Sequence, residues 1–328
     1  MTKPLFALVL CLVLFQAAQA EKADSTIYYY KNSGRLVHSR DSADFYRVIL
    51  PPDTNIDKDL YRVYDYYGNG KLRRVATSIN ANTDVLLEGT CMDYYPNGKR
   101  REVSQYKSGN LIGEISDYYP SGKLYAIFKI EDTRYYNTYS PRSSFLYRYL
   151  VEEMRDTTGN VLVKNGTGHV ILFDEDYKKM ILEGDLKNNR KEGVWKGNIA
   201  DSGKFVCNFH RDDLQSGVSN MNSGHQYTFK QFIVHAVYSD GMREFSDYLK
   251  KNVHFPESAK KHKVTGTVRV EFYVETDGRI TDVKIVRSIF KSLDDEAVRV
   301  VSSSPPWIPE YRFGIPIRSA YTVSVDFY

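Results

Sequence analysis

Three short segments of this chain are near copies of one another, and that repetition limits the possible folds more than any other feature. They are Tyr66-Tyr67-Gly68-Asn69-Gly70-Lys71, Tyr94-Tyr95-Pro96-Asn97-Gly98-Lys99 and Tyr118-Tyr119-Pro120-Ser121-Gly122-Lys123. A looser copy, Tyr29-Tyr30-Lys31-Asn32-Ser33-Gly34-Arg35, comes earlier, and Gly89 and Gly113 sit at matched places upstream of two copies. Tyr-Tyr ends a strand. Pro-Asn-Gly or Pro-Ser-Gly then turns the chain, because proline restricts φ and glycine accepts φ above zero. A basic residue opens the return strand. Each unit is a β-hairpin that cannot bury its apolar face alone, so neighbouring units must stack.

The composition agrees, with 27 Tyr against 16 Phe and 2 Trp. A ring with a polar tip suits a half-buried sheet. A second, less regular run covers residues 166–230, carrying Leu182-Glu183-Gly184-Asp185, Glu192-Gly193-Val194-Trp195, Gly203 and Gly217. Between the runs, residues 132–156 are rich in Tyr and Arg and read as either a degenerate hairpin or a connector. The pattern over residues 27–130 resembles MORN-variant repeats.

The first residues read as a targeting segment. Lys3 supplies a positive charge, residues 5–15 are apolar, and Ala18-Gln19-Ala20 offers a small-x-small cleavage site before Glu21. The apolar run is shorter than the roughly 18–20 residues a spanning helix needs, so cleavage and export to the cell envelope are expected. Leu10 before Cys11 does not fit a lipoprotein signal. Cys91 and Cys207 remain; an oxidising compartment permits a disulfide, but their separation favours two free or buried thiols.

The last quarter changes character. Phe245, Leu249 and Val253 fall at helical spacing, and Pro256 opens a second helical turn through Ala259. Val268, Val270, Phe272 and Val274 alternate with polar neighbours as a strand. Asp277-Gly278 signals a two-residue hairpin into a return strand over residues 280–287. Ser292 with Asp295 resembles a capping box, and Leu293, Ala297, Val300 and Val301 share one helical face. After Pro305-Pro306-Trp307, alternating Tyr321, Val323, Val325 and Phe327 form a last strand. The expected fold class is a mostly β region of stacked hairpins followed by a small α+β domain of order α-β-β-α-β. The expected divisions are 1–20 (signal), 21–131 (hairpin repeats), 132–235 (degenerate repeats) and 242–328 (α+β domain).

Several motifs in that last domain follow one another in a specific order. They are Phe255-Pro256-Glu257-Ser258-Ala259, Gly266-Thr267-Val268, Val274-Glu275-Thr276-Asp277-Gly278-Arg279-Ile280, Leu293-Asp294-Asp295-Glu296-Ala297-Val298 and Trp307-Ile308-Pro309. In this order they resemble the TonB C-terminal domain family. The resemblance implies a periplasmic domain that takes an extended segment of an outer-membrane receptor or other envelope protein by strand addition. The implied partner strand is the last one, with Arg318, Ala320, Tyr321, Thr322, Val323, Ser324, Val325 and Phe327 as candidate contacts. The alternative is an envelope scaffold whose free edge pairs two copies into a homodimer. A transducer of this family keeps an uncleaved membrane helix and a Pro-rich linker. A cleavable signal, hairpin repeats and only 11 Pro stand in their place, so the resemblance carries a link to TonB-dependent transport through binding and not energy transduction.

Other chemistries lack their residues. Asp53, Asn55, Asp57 and Asp59 are spaced like the start of a calcium loop, but Lys58 and Tyr64 occupy the positions that need Gly and Glu. The seven histidines are scattered, and nothing completes a zinc set around His254 and His262. Gly166-Thr167-Gly168-His169 reads as a hairpin turn, not a nucleotide loop. No nucleophile-elbow, metalloprotease or Walker sequence occurs, so neither an enzyme nor a cofactor is expected. A net charge of +4 with interspersed signs gives no nucleic-acid footprint. Trp307 is expected in the core of the small domain, and the paired tyrosines are expected to pack across strands.

Overall fold

The computed structural model describes residues 25–130 and 149–328; the expected signal (residues 1–20) and the first part of the Tyr- and Arg-rich stretch lie outside them. The chain divides into two compact units at Glu192/Gly193.

The first unit is an antiparallel meander. Its strands are β1 (Thr26–Tyr30), β2 (Leu36–Val37), β3 (Phe45–Leu50), β4 (Tyr61–Tyr67), β5 (Leu72–Ser78), β6 (Leu87–Tyr94) and β7 (Arg100–Lys107). They continue as β8 (Asn110–Tyr118), β9 (Leu124–Ile130), β10 (Tyr149–Arg155), β11 (Val161–Lys164), β12 (Thr167–Phe173) and β13 (Met180–Lys187). β1 pairs with β2 and β3, and from β3 to β13 each strand pairs with the next.

The repeated motif builds one turn geometry. Tyr67 N–H donates to Lys71 O at 2.9 Å and Gly70 N–H to Tyr67 O at 2.8 Å, with Gly70 at φ 80°. This is a three-residue loop ending in a left-handed glycine, whose bulge shifts the register after Asp65. Tyr95–Lys99, Tyr119–Lys123 and Lys31–Arg35 repeat the same pair of bonds. So does Asp156–Asn160, a copy without the tyrosine pair. There the Asp156 carboxylate accepts the Thr158 hydroxyl and three local N–H groups, which hold its pKa well below the usual range. The opposite sheet end uses two-residue turns such as Ser108-Gly109 and Asn165-Gly166, all four residues at positive φ.

The two tyrosines of each motif have different work. The second reaches across to the next unit: the hydroxyls of Tyr67, Tyr95 and Tyr119 donate to Tyr94 O, Tyr118 O and Arg155 O at 2.7, 2.7 and 2.8 Å. The motif lysines act alongside, Lys71 Nζ on Pro96 O at 2.9 Å and Lys99 Nζ on Ser121 O at 2.6 Å. Each bond stabilises by about 1 kcal/mol and sets the stacking distance between units. The first tyrosines pack on the other face. Tyr46 and Tyr66 stack at 5.2 Å and 19°, with Tyr29 next to Tyr46. Tyr66 thus stacks on its cross-strand neighbour while Tyr29 meets the same ring tilted, the cross-strand packing expected of them.

One row of facing residues crosses this sheet: Arg47, Asp65, Arg74, Asp93, Glu102 and Asp117 on β3 to β8. Charge alternates along it until Glu102, which stands between two aspartates. Burial, then Asp117 and Asp93, push the Glu102 carboxyl up to about 7. The folded state therefore keeps a proton that the unfolded chain has released. Stability should fall as pH rises from 4.5 to about 7. Glu102→Gln should flatten that slope in urea unfolding and gain on the order of 1–2 kcal/mol at neutral pH. An unchanged slope in the variant would exclude Glu102 as its source.

β14 (Arg190–Ile199) crosses the unit boundary. With β15 (Gly203–His210), β16 (Asp213–Met221) and β17 (Gln226–Phe229) it continues the antiparallel pattern within the second unit. Phe205, Cys207 and Phe209 alternate inward, and a side chain at Gly217 would collide with the Phe229 ring at 2.2 Å. Cys91 and Cys207 are both buried, and burial raises the Cys91 thiol to about 12.

The α+β module follows with the expected order. Its elements are β18 (Ile233–Val234), β19 (Val237–Tyr238), α1 (Met242–Asn252), α2 (Glu257–Lys261), β20 (Gly266–Val274), β21 (Ile280–Arg287) and α3 (Lys291–Ser302). Then come β22 (Trp307–Ile308), β23 (Glu310–Arg312), β24 (Ile315–Ile317) and β25 (Ser319–Phe327). Two local expectations are corrected. The Asp277-Gly278 hairpin has a three-residue loop, with Glu275 N–H bonded to Arg279 O and Gly278 N–H to Glu275 O, the same turn as in the repeats. Helix α3 begins at Lys291 with no side-chain cap at Phe290. Ser292 instead receives a hydrogen bond from the Ser258 hydroxyl at 2.8 Å, and Asp294 accepts from Ser288.

Candidate functional site

The three-stranded sheet of the module runs β21-β20-β25. β25 faces β20 over nine residue pairs, from Gly266↔Phe327 to Val274↔Ser319. Among the described residues it pairs with no other strand, so its second edge is open.

Alternation along β25 sorts the candidate contacts. Val323, Val325 and Phe327 are buried with Val268, Val270, Phe272, Leu293, Ala297, Val300 and Val301. They hold the strand in place. Ala320, Thr322 and Ser324 are exposed, opposite Tyr273, Glu271 and Arg269. Tyr321 is half-buried, 4.9 Å from the Trp307 ring and 5.9 Å from Phe272. Arg318 precedes the strand. Its Nε donates to Glu275 at 2.8 Å, it pairs with Asp282, and it lies 3.6 Å over the Tyr273 ring. The Thr281 hydroxyl and Arg318 hold the Glu275 carboxyl below its ordinary pKa.

Trp307 is the centre of the support. It is 3% exposed and meets Phe245, Phe272 and Tyr238 at 5.0, 5.2 and 6.0 Å, with Nε1–H donating to Ser304 Oγ at 3.2 Å. Its backbone N–H donates to Gly278 O at 2.8 Å. A Cβ at Gly278, already at φ 84°, would meet Trp307 O at 2.0 Å. The glycine of the turn is therefore needed twice, for its conformation and for this approach.

The sequence reading did not find the β23–β24 hairpin. Phe313-Gly314 forms its turn at φ 53° and 76°. β23 pairs with β18, Phe313 N–H donates to Phe232 O at 2.7 Å, and the Ser219 hydroxyl donates to Phe313 O at 2.7 Å. The Phe313 ring stacks on Phe205 at 4.8 Å and touches Phe229 and Phe232. The hairpin thus joins the module to the β15–β17 sheet by packed aromatics. The one available signal was Phe-Gly between short alternating runs.

The arrangement is an edge strand backed by a dry core. It offers main-chain donors and acceptors to an extended chain. The family model described as the Gram-negative bacterial TonB protein C-terminal matches residues 251–328. That segment is TonB-like. The match begins at the end of α1 and takes in α2, β20, β21, α3 and β25. No curated protein matches the chain. The other sequence candidates lie elsewhere. Asp53 and Asp57 accept N–H groups of Asn55, Asp59 and Leu60, and Asp53 also pairs with Arg62 at 3.4 Å. Among the described residues no His, Cys, Asp and Glu group is placed to hold a metal ion, and no helix is long and apolar enough to cross a membrane.

Proposed function

We propose that this is an exported envelope protein whose TonB-like module binds an extended segment of an outer-membrane receptor or other envelope partner by strand addition to β25. The observation that carries the reading is the strand order β21-β20-β25, which leaves β25 paired on one side. Main-chain bonds would supply much of the affinity, and the exposed Ala320, Thr322 and Ser324 the side-chain contacts. The protein is then a binding protein, not an enzyme, and its MORN-like repeats are a scaffold. The packed Phe313 hairpin supports a fixed mounting for the module in place of a flexible tether. It favours capture over energy transfer.

The test is amide hydrogen exchange on the full chain, with and without peptides from the N-terminal segments of the host's outer-membrane receptors. Alternate amides of β25 should gain protection with peptide, while β20 stays unchanged. Protection of β25 that grows with protein concentration and not with peptide would assign the edge to a second copy. No change in β25 under either condition would refute the reading.

A further inference from the structure

The first unit holds a cavity of about 450 Å³ that the strand-addition reading does not use. Asn32, Ser33 and Gly34 of the first turn form one wall and Thr83, Asp84 and Val85 the other. Arg47, Arg73 and Arg74 line it together with Tyr30 and Phe45. Its volume lies within the range of small-molecule sites.

The three guanidinium groups are not equivalent. Arg47 gives Nε and Nη2 to Asp65 at 2.7 and 3.0 Å. Arg74 gives Nε and Nη2 to Asp93 at 2.6 and 2.8 Å. These forks fix both planes and leave one terminal nitrogen of each unbonded to those carboxylates. Arg73 has a 3.6 Å ion pair with Asp65, already engaged by Arg47, and lies 3.9 Å over the Phe45 ring. Its side chain is 17% exposed, yet among the described residues it makes no hydrogen bond. Its donors therefore remain available to a ligand that enters the cavity. Asp65, Asp93 and the cavity-lining Asp84 balance the three arginines in charge, and among the described residues Arg73 is the one of the three with no hydrogen-bonded carboxylate.

Asp84 lines the same cavity as an exposed carboxylate. It disfavours a second negative charge on a ligand. Asn32, Ser33 and Thr83 offer neutral donors and acceptors suited to hydroxyl groups. We propose that the cavity binds a small hydroxylated monocarboxylate of the sugar-acid class, with Arg73 gripping the carboxylate. The bidentate geometry of guanidinium on carboxylate gives that grip its direction.

The experiment is calorimetric titration of the full chain with glucuronate, glucose and inorganic phosphate. Glucuronate should bind saturably, glucose should not, and phosphate should bind more weakly. Arg73→Gln should weaken glucuronate binding by about tenfold to a hundredfold, and Arg73→Lys by less. Because the variants can shift stability, wild-type protein gives a second reading: glucuronate should raise its thermal midpoint in a concentration-dependent way. Phosphate binding as tightly as glucuronate would overturn the sugar-acid assignment. Equal affinity in Arg73→Gln would remove Arg73 from the site. No saturable glucuronate binding and no midpoint shift would overturn the site itself.

Discussion

Asp65→Asn is expected to be among the most damaging single changes in the repeat sheet, lowering stability by roughly 3–5 kcal/mol. Asp65 is fully buried and is held by Arg47 through two hydrogen bonds and by Arg73 at 3.6 Å. The carboxamide has nearly the same shape, so no cavity forms. What changes is charge: two largely buried guanidinium groups lose the anion between them, and one amide nitrogen turns a donor toward donors. Removing one partner of a buried pair costs more than the pair contributes, because the remaining charge stays desolvated. Urea unfolding followed by far-ultraviolet circular dichroism measures the loss. A loss below about 1 kcal/mol would mean that water already reaches these arginines.

Trp307→Ala should cost the TonB-like module about 3–5 kcal/mol. The ring fills the space among Phe245, Phe272, Tyr238 and Tyr321, and its removal leaves a cavity among them. Tyr321 lies on β25, so the damage reaches the open edge. Trp307→Phe should restore most of the stability, since it keeps the aromatic contacts and loses only the bond to Ser304. Near-ultraviolet circular dichroism reports the packing, because Trp195 is the only other tryptophan. If the alanine variant kept both its unfolding midpoint and its aromatic signal, Trp307 would not be the keystone described.

The repeats were legible because one turn geometry demands one residue type. A left-handed position after a type I turn takes glycine at low cost, so Gly70, Gly98 and Gly122 mark their own hairpins. The copy at Asp156–Asn160 was missed because Asp156 caps its own turn with its carboxylate and needs no tyrosine. The edge strand was legible for a similar reason: Val323, Val325 and Phe327 alternate with period two, and burial of that set places them on the core face. Of the candidate contacts, Arg318, Ala320, Thr322 and Ser324 are exposed while Val323, Val325 and Phe327 are buried, a division that the resemblance did not draw.

Sequence alone determined the mostly β class, the hairpin turns, the α-β-β-α-β order and the TonB-like character of the last segment. All four follow from local periodicity and turn chemistry, which involve residues close together in the chain. Only the tertiary structure decided that Arg47, Asp65, Arg74, Asp93, Glu102 and Asp117 form one row, that Arg73 lies in a cavity without a hydrogen bond, and that Phe313 reaches Phe205. Those pairings depend on strand register and on a hairpin that folds back across the second unit. Neither register nor fold-back leaves a local pattern, because each is set by the combined burial of many side chains distant in sequence.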